Sequence, residues 1–262
     1  MTNKTGPMVS VIMPAYNAAA YIEASIASVL GQTMGDLELL VLDDGSTDQT
    51  RQRIEAAAKR DSRVRCLPNT QNMGTAKTRN RGLELCRGQY VAFLDSDDLW
   101  HPEKLEIQLA LAREKQADLV YCSYAIVDEQ GRKHCDDYIV PETVTFTALL
   151  KQNVIGCSTV LLRREIAQQY RFPTEVYHED YALWLSLLKQ GKRAVGDQRV
   201  LMYYYYHPDS RAGNKLASAK RRWVIYRGYL KLPVWRSAVY LMQYALAGVK
   251  KYSGLFMRKS ST

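Results

Sequence analysis

The stretch QYVAFLDSDDLW, residues 89–100, sets an apolar run directly against three carboxylates, Asp95, Asp97 and Asp98, within four residues. Gln89 to Leu94 reads as a buried strand, and the polar cluster as the loop leaving its carboxyl end. Mutual repulsion makes such a cluster costly unless water, hydrogen bonds or a cation offsets it. The same pattern of a β-rich run followed by a helical one recurs upstream. VSVIM (9–13) precedes AAYIEASIASVLGQ, LELLVL (37–42) precedes TDQTRQRIEAAAKR, and VRCLP precedes GTAKTRNRGLELC. This alternation predicts βαβ units, and so an α/β fold with a Rossmann-like, mostly parallel sheet covered by helices on both faces.

Downstream, ADLVYCSY (117–124) reads as a further strand, DEQGRK (128–133) as a hairpin turn and residues 145–151 as a short helix. STVLLRR reads as a strand, EDYALWLSLLKQG as a helix with apolar positions at helical spacing, and the tyrosine-rich RVLMYYYYH as a closing strand. No internal repeat or low-complexity linker interrupts the chain.

A chain of 262 residues can bury a substantial core, and its 47% hydrophobic and 24% charged content is that of a globular protein. Five cysteines, Cys66, Cys86, Cys122, Cys135 and Cys157, show no CxxC spacing, and the N-terminus has no apolar signal segment. The expectation is a reduced, cytosolic protein without a disulfide framework or zinc knuckle. The net charge of +9 is unevenly placed: residues 210–262 carry twelve Lys/Arg and no Asp/Glu, while residues 1–209 carry 24 basic and 27 acidic side chains. The sequence therefore divides into a main domain at 1–209 and a basic, aromatic-rich helical tail at 210–262.

In mostly parallel sheets, ligands sit beyond the carboxyl ends of the strands. Three polar loops fall there: PAYN (14–17), DDGSTD (43–48) and DSDD (95–98). In the second, Gly45 permits a tight turn and Ser46, Thr47 or Asp48 suits a helix cap, which leaves Asp43 and Asp44 unexplained. In the third, Asp95 and Asp97 flank a small residue and can aim oxygens at one hard cation, Mg²⁺ or Mn²⁺, able to clamp the diphosphate of a sugar nucleotide. Asp97 or Asp98 equally suits capping a helix that starts near His101-Pro102. HED (178–180) opens an apolar helix, where the dipole favours Glu179 and Asp180. A carboxylate on such a rigid terminus also suits a general base that takes a proton from a hydroxyl.

With PAYN, DDGSTD, DSDD and HED in this order, residues 8–207 resemble the inverting glycosyltransferases of family 2, which have the GT-A fold. The resemblance implies that Pro14 and Tyr16 line a nucleotide base, that Asp44 binds uracil, and that Lys77 lies near uridine and diphosphate. It implies a divalent metal, Mn²⁺ or Mg²⁺, on Asp97, with Asp95 near the ribose and metal. Asp180 becomes the catalytic base, with Glu179 beside it orienting the acceptor. The processive members' Q-x-x-R-W motif is missing: the nearest text is AKRRW (219–223), with Ala219 where glutamine would stand. The resemblance thus implies transfer of a single hexose (glucose, galactose or an N-acetyl form) from a UDP-sugar, in the synthesis of bacterial surface polysaccharide.

The tail interleaves its basic residues with Trp223, Tyr226, Tyr229, Trp235, Tyr240, Tyr244, Tyr252 and Phe256. Its uncharged run from Ser237 to Val249 has 13 residues, too few to span a bilayer as a helix. An interfacial helical anchor on an anionic membrane surface is the preferred reading of this pattern, with packing against the main domain as the alternative. No nucleic-acid module accompanies it, so nucleic acid is not an expected partner. The family resemblance adds a polyprenyl-diphosphate-linked saccharide acceptor and a peripheral position on the cytoplasmic face of the inner membrane. His207, Arg211 and Lys215 would then meet acceptor or donor phosphates, although His207 equally fits a turn before Pro208. Two rivals share these features: a metal-dependent nucleotidyltransferase, and a non-catalytic membrane- or carbohydrate-binding module.

Overall fold

A computed structural model describes residues 6–128, 130–205 and 215–245. Among these described residues eight strands form one sheet in the order β3-β2-β1-β4-β7-β6-β8-β5. The block β1 (Val9–Ala15), β2 (Leu37–Asp43), β3 (Val64–Cys66) and β4 (Tyr90–Phe93) is parallel. β7 (Leu161–Arg163) runs antiparallel between β4 and β6 (Leu119–Val127), β8 (Ala194–Tyr205) is parallel to β6, and β5 (Leu99–Trp100) closes the far edge antiparallel to β8. The expected mostly parallel α/β sheet is therefore present, with antiparallel pairings confined to its second half.

Strand periodicity sorts the core into two layers. Val9, Val11, Met13, Leu39, Val41 and Ala92 point to one face, packing with α1 (Ile22–Leu30), α2 (Thr50–Arg60) and α4 (Lys104–Glu114). Ile12, Leu40, Leu42, Val91 and Phe93 point to the other, under α3 (Thr75–Leu85), α5 (Phe146–Lys151), α6 (Arg164–Gln169) and α7 (Glu179–Lys189). Gly82 permits the close approach of α3, because a Cβ there would stand 2.6 Å from Ile12 Cγ2. Glu38, inside β2, is satisfied by Ser10 Oγ at 2.7 Å and by Arg65 and Arg87. Burial pushes its pKa up, but these hydrogen bonds outweigh it and hold the carboxyl below its ordinary value.

Several expectations are corrected in detail. The helix expected near His101-Pro102 is present as α4, which begins at Lys104 with Glu103 flanking it, but the DSDD loop enters β5 first. Asp98 is accordingly not a cap but is buried under the loop, 2% exposed. STVLLRR yields only a three-residue strand, because Cys157–Thr159 form a 3₁₀ turn first. DEQGRK does reverse the chain, with Val127 bridging Lys133.

Of the tail, α8 (Lys215–Val224) continues into a π-helical turn at Ile225–Tyr229, followed by α9 over 234–245. Ile225, Tyr226, Leu230 and Leu232 join the core layer of α7. Tyr226 donates its hydroxyl to the Leu150 carbonyl at 2.6 Å, and Lys189 Nζ donates to the Leu230 carbonyl at 3.3 Å. His207 and Arg211 lie outside the described residues.

Candidate active site

The parallel register pairs Ala15 with Asp43, so the PAYN and DDGSTD loops leave the sheet side by side. They are stitched together: Asn17 N–H donates to Ser46 Oγ at 3.0 Å, Thr47 N–H to Asn17 Oδ1 at 2.9 Å, and Ala19 N–H to Asp48 Oδ2 at 3.1 Å. The residue flanking α2 is Gln49, which makes no side-chain cap. Asp48 instead accepts from the Thr50 N–H and hydroxyl as a local turn. This clamp leaves Pro14 half-buried in the strand end and Tyr16 half-exposed at the mouth of the loops.

Asp44 is buried and accepts from Asn69 Nδ2 at 2.7 Å, Met73 N–H at 2.9 Å and Gly74 N–H at 2.9 Å. It thereby fixes the loop that enters α3. Gly45, at φ 77°, passes so close to this loop that a Cβ would lie 2.9 Å from the Asn72 nitrogen. Lys77 projects from the exposed side of the first turn of α3.

Two residues further along α3, Arg79 is buried, with only 4% of its side chain exposed. It donates to Asp95 Oδ1 at 2.5 Å and to Glu179 Oε1 at 2.8 Å, while its guanidinium sits 5.4 Å from the centre of the Phe172 ring. Arg79 thus joins the loop after β4 to the first turn of α7. Burial works against its charge, but the fields of Cys157, Asp95, Glu179 and Asp180 outweigh it and raise its pKa. Sequence reading chose Lys77 and passed over Arg79. The signal was present, since Arg79, Gly82 and Leu83 form an i, i+3, i+4 face that is buried.

Asp180 lies beside Glu179 and takes the opposite consequence of burial. Its pKa is pushed up to about 6, first by desolvation, with Glu179 and Asp95 adding and Arg79 opposing. His178 adopts a left-handed conformation at φ 65°, turning the chain into α7. Burial, and then Arg221 and Arg222, depress its pKa, so the imidazole is neutral at physiological pH.

Asp97 is half-buried and Asp95 is 39% exposed, and the Asp95 N–H donates to Ser158 Oγ at 3.1 Å. Burial, then Asp95 and Asp97, hold the Asp98 pKa well above the usual carboxylate range. Among the described residues Asp98 Oδ1 has no hydrogen-bond partner. Crowded oxygen donors with one orphaned oxygen are the chemistry a hard divalent cation fits. Among the described residues no three His, Cys, Asp or Glu side chains stand together as a metal cage, so protein ligands would supply only part of a coordination shell. Such partial supply suits an ion shared with substrate phosphates.

The chain as a whole matches known proteins. Residues 10–171 match the family described as Glycosyl transferase family 2. TuaG of Bacillus subtilis (strain 168), named for teichuronic acid biosynthesis, is 39% identical over 246 residues, covering 94% of this chain and 97% of the relative. WfgD of Escherichia coli, described as a UDP-Glc:alpha-D-GlcNAc-diphosphoundecaprenol beta-1,3-glucosyltransferase, is 38% identical over 247 residues, 94% and 95% of the two chains. Among solved structures, the mannosyltransferase PcManGT of Pyrobaculum calidifontis, in complex with GDP-Man and Mn²⁺, superposes with a TM-score of 0.68 at 19% identity, over 99% of this chain and 77% of that one. That likeness supports the GT-A fold. The sheet order, the convergence of the DSDD and HED motifs on Arg79 and this kinship together place the chain in glycosyltransferase family 2.

Proposed function

We propose that the protein transfers one hexose from a UDP-sugar to a lipid-diphosphate-linked saccharide, inverting the anomeric carbon, in the synthesis of a bacterial surface polysaccharide. The observation that carries this reading is the Arg79 bridge, which joins Asp95 of the DSDD loop to Glu179 of the HED turn and so brings the two acidic motifs together. WfgD, whose described donor is UDP-Glc and whose acceptor is GlcNAc on diphosphoundecaprenol, supports the substrate classes. The missing Q-x-x-R-W motif supports single addition over processive synthesis.

Asp180 accepts the proton of the acceptor hydroxyl. The freed oxygen attacks the anomeric carbon as the bond to the UDP oxygen breaks, and the opposite-face approach inverts configuration. Glu179, held by Arg79, orients the acceptor, while Pro14, Tyr16, Asp44 and Lys77 frame the nucleotide. Asp97, with Asp95, would hold Mn²⁺ or Mg²⁺, which when bound neutralises the leaving diphosphate.

A peripheral position at the cytoplasmic membrane face accounts for the outer side of the tail. No helix among the described residues is long and apolar enough to cross a membrane. Yet α9 exposes Trp235 (65%), Val239 and Met242 at i, i+4, i+7, an apolar stripe beside Arg236. Flotation with anionic liposomes tests it: the wild type is expected to float, Trp235→Glu to remain in the dense fraction, and equal flotation of both would remove the anchor.

Asp180→Asn is expected to lose transfer by about 10²-fold or more while retaining UDP binding by titration; unchanged turnover would rule out the base assignment. Asp180 acts deprotonated, and Arg79, Glu179, Asp95 and Cys157 face it. Wild-type kcat/KM should therefore rise with pH to a plateau above about 6. The same raised pKa makes its charge a stability cost that is absent below the unfolded carboxylate range and present above about pH 6. Asp180→Asn should thus raise Tm at pH 7 and lose that gain by pH 4.

Asp97→Ala should abolish the gain in UDP affinity that Mn²⁺ confers in calorimetric titration, and an undiminished gain would place the cation elsewhere. Arg79→Met should cost about 2–3 kcal/mol in urea unfolding, less than a fully buried pair because Asp95 is partly exposed. It should also move the acid limb of any residual activity to higher pH. A variant as stable as wild type, with an unmoved limb, would deny Arg79 its bridging role.

A further inference from the structure

Building on the lipid-linked acceptor just proposed, we infer that Arg221, stacked on Tyr177 beside the HED turn, forms the subsite for the acceptor's diphosphate. The Arg221 guanidinium carbon lies 3.5 Å from the Tyr177 ring centre, and the His178 ring meets the same tyrosine edge-on at 4.9 Å. A guanidinium that stacks through its face keeps its N–H edge open for bidentate bonds to phosphate oxygens. Among the described residues no hydrogen bond or ion pair occupies that edge, and Tyr177 is 40% exposed, so the pair faces solvent.

The surroundings are built for an anion. Residues 215–245 contain no Asp or Glu. Among the described residues the neighbouring Arg222 is buried without a carboxylate partner: it donates to Tyr181 Oη at 2.9 Å and lies 4.6 Å from the Tyr181 ring centre and 3.9 Å from that of Tyr244. Phenol oxygens and ring faces satisfy this cation without neutralising it, so the positive potential at the end of α8 persists.

Position decides which diphosphate belongs here. Arg79 reaches Glu179 from α3, on the side of the DSDD loop, whereas Arg221 reaches Tyr177 from α8; the HED turn lies between the two cations. The donor diphosphate belongs with the DSDD side. In a lipid-linked acceptor the diphosphate is bonded to the very sugar whose hydroxyl is to react, so the two are one sugar ring apart. Tyr177 and Asp180 are separated by a single turn of chain, which matches that spacing. The lipid would leave past Tyr244 of α9, the helix that carries the exposed Trp235, Val239 and Met242 stripe.

The test measures binding with the donor site blocked. In neutral detergent micelles and saturating UDP, the full chain is titrated with a short isoprenyl diphosphate, the matching isoprenyl alcohol, and an anionic phospholipid. The wild type is expected to prefer the diphosphate to the alcohol, and Arg221→Ala to lose that preference by about tenfold or more. UDP affinity and Tm should stay unchanged. Arg221→Lys, a point charge without the fork, should fall between, and Arg221→Gln repeats the test if alanine unsettles Tyr177. Equal diphosphate binding by wild type and Arg221→Ala, or the same Arg221 dependence for the phospholipid, overturns the subsite. Transfer assays separate the two readings: with a diphosphate-linked monosaccharide, Arg221→Ala should raise KM, and with the same sugar on a neutral alkyl chain it should not. Arg221-dependent binding without any wild-type transfer would leave the subsite standing and sink the proposed reaction.

Discussion

The arrangement depends on one buried cation. Asp95, Glu179 and Asp180 come from two segments more than eighty residues apart, and without a counter-charge their repulsion would spread the cleft. Arg79 supplies that charge from a third segment, and its planar fork meets Asp95 and Glu179 through different nitrogens at 2.5 and 2.8 Å. Asp180 receives the field of Arg79 without a direct hydrogen bond from it. It therefore keeps a pKa of about 6, where a carboxylate is both ionised at neutral pH and basic enough to accept a proton.

The sheet prepares this meeting. β4 delivers Asp95 at its carboxyl end, and the antiparallel β7 beside it is preceded by the 3₁₀ turn whose Ser158 accepts the Asp95 N–H and whose backbone carbonyl accepts from Trp100 Nε1 at 2.8 Å. Switching from parallel to antiparallel pairing at β4 is thus what brings a second loop over the DSDD cluster. A wholly parallel sheet would have put a helix crossover there.

Local features made the strands and the order of the acidic motifs legible. β1, β2 and β4 are apolar runs buried on both faces, and such runs announce themselves whatever surrounds them. Asp98 shows the limit. Four residues before Pro102 it looks like a helix cap, but the two-residue β5 is defined only by its pairing with β8, a hundred residues away, and no local pattern encodes that. Arg79 was hidden for a related reason. On a helix of low hydrophobicity the buried stripe is short, and a basic side chain within it looks solvated until its acidic partners are placed. The same holds for Asn69 and Ser158, small polar residues whose roles exist only through partners in other loops.

The tail illustrates a different failure of local reading, because membrane attachment and packing on the main domain looked like alternatives. The described residues show packing on one side of the unit and an uncovered apolar stripe on the other. Inward, Tyr226 and Arg222 hydrogen-bond with Tyr181 and Leu150, locking the turn that presents Asp180. Outward, Val234, Trp235, Val239 and Met242 are uncovered. Arg222 touches both sides, with its guanidinium near the Tyr181 ring and near the Tyr244 ring of α9. A helix resting on a lipid surface would then be linked to the HED turn through the buried Arg222 guanidinium and through Tyr240 packed on Tyr226. If the acceptor is lipid-linked, as proposed, Asp180 has to stand at a fixed height above the bilayer, and rings packed around a buried cation set such a height better than a flexible linker would.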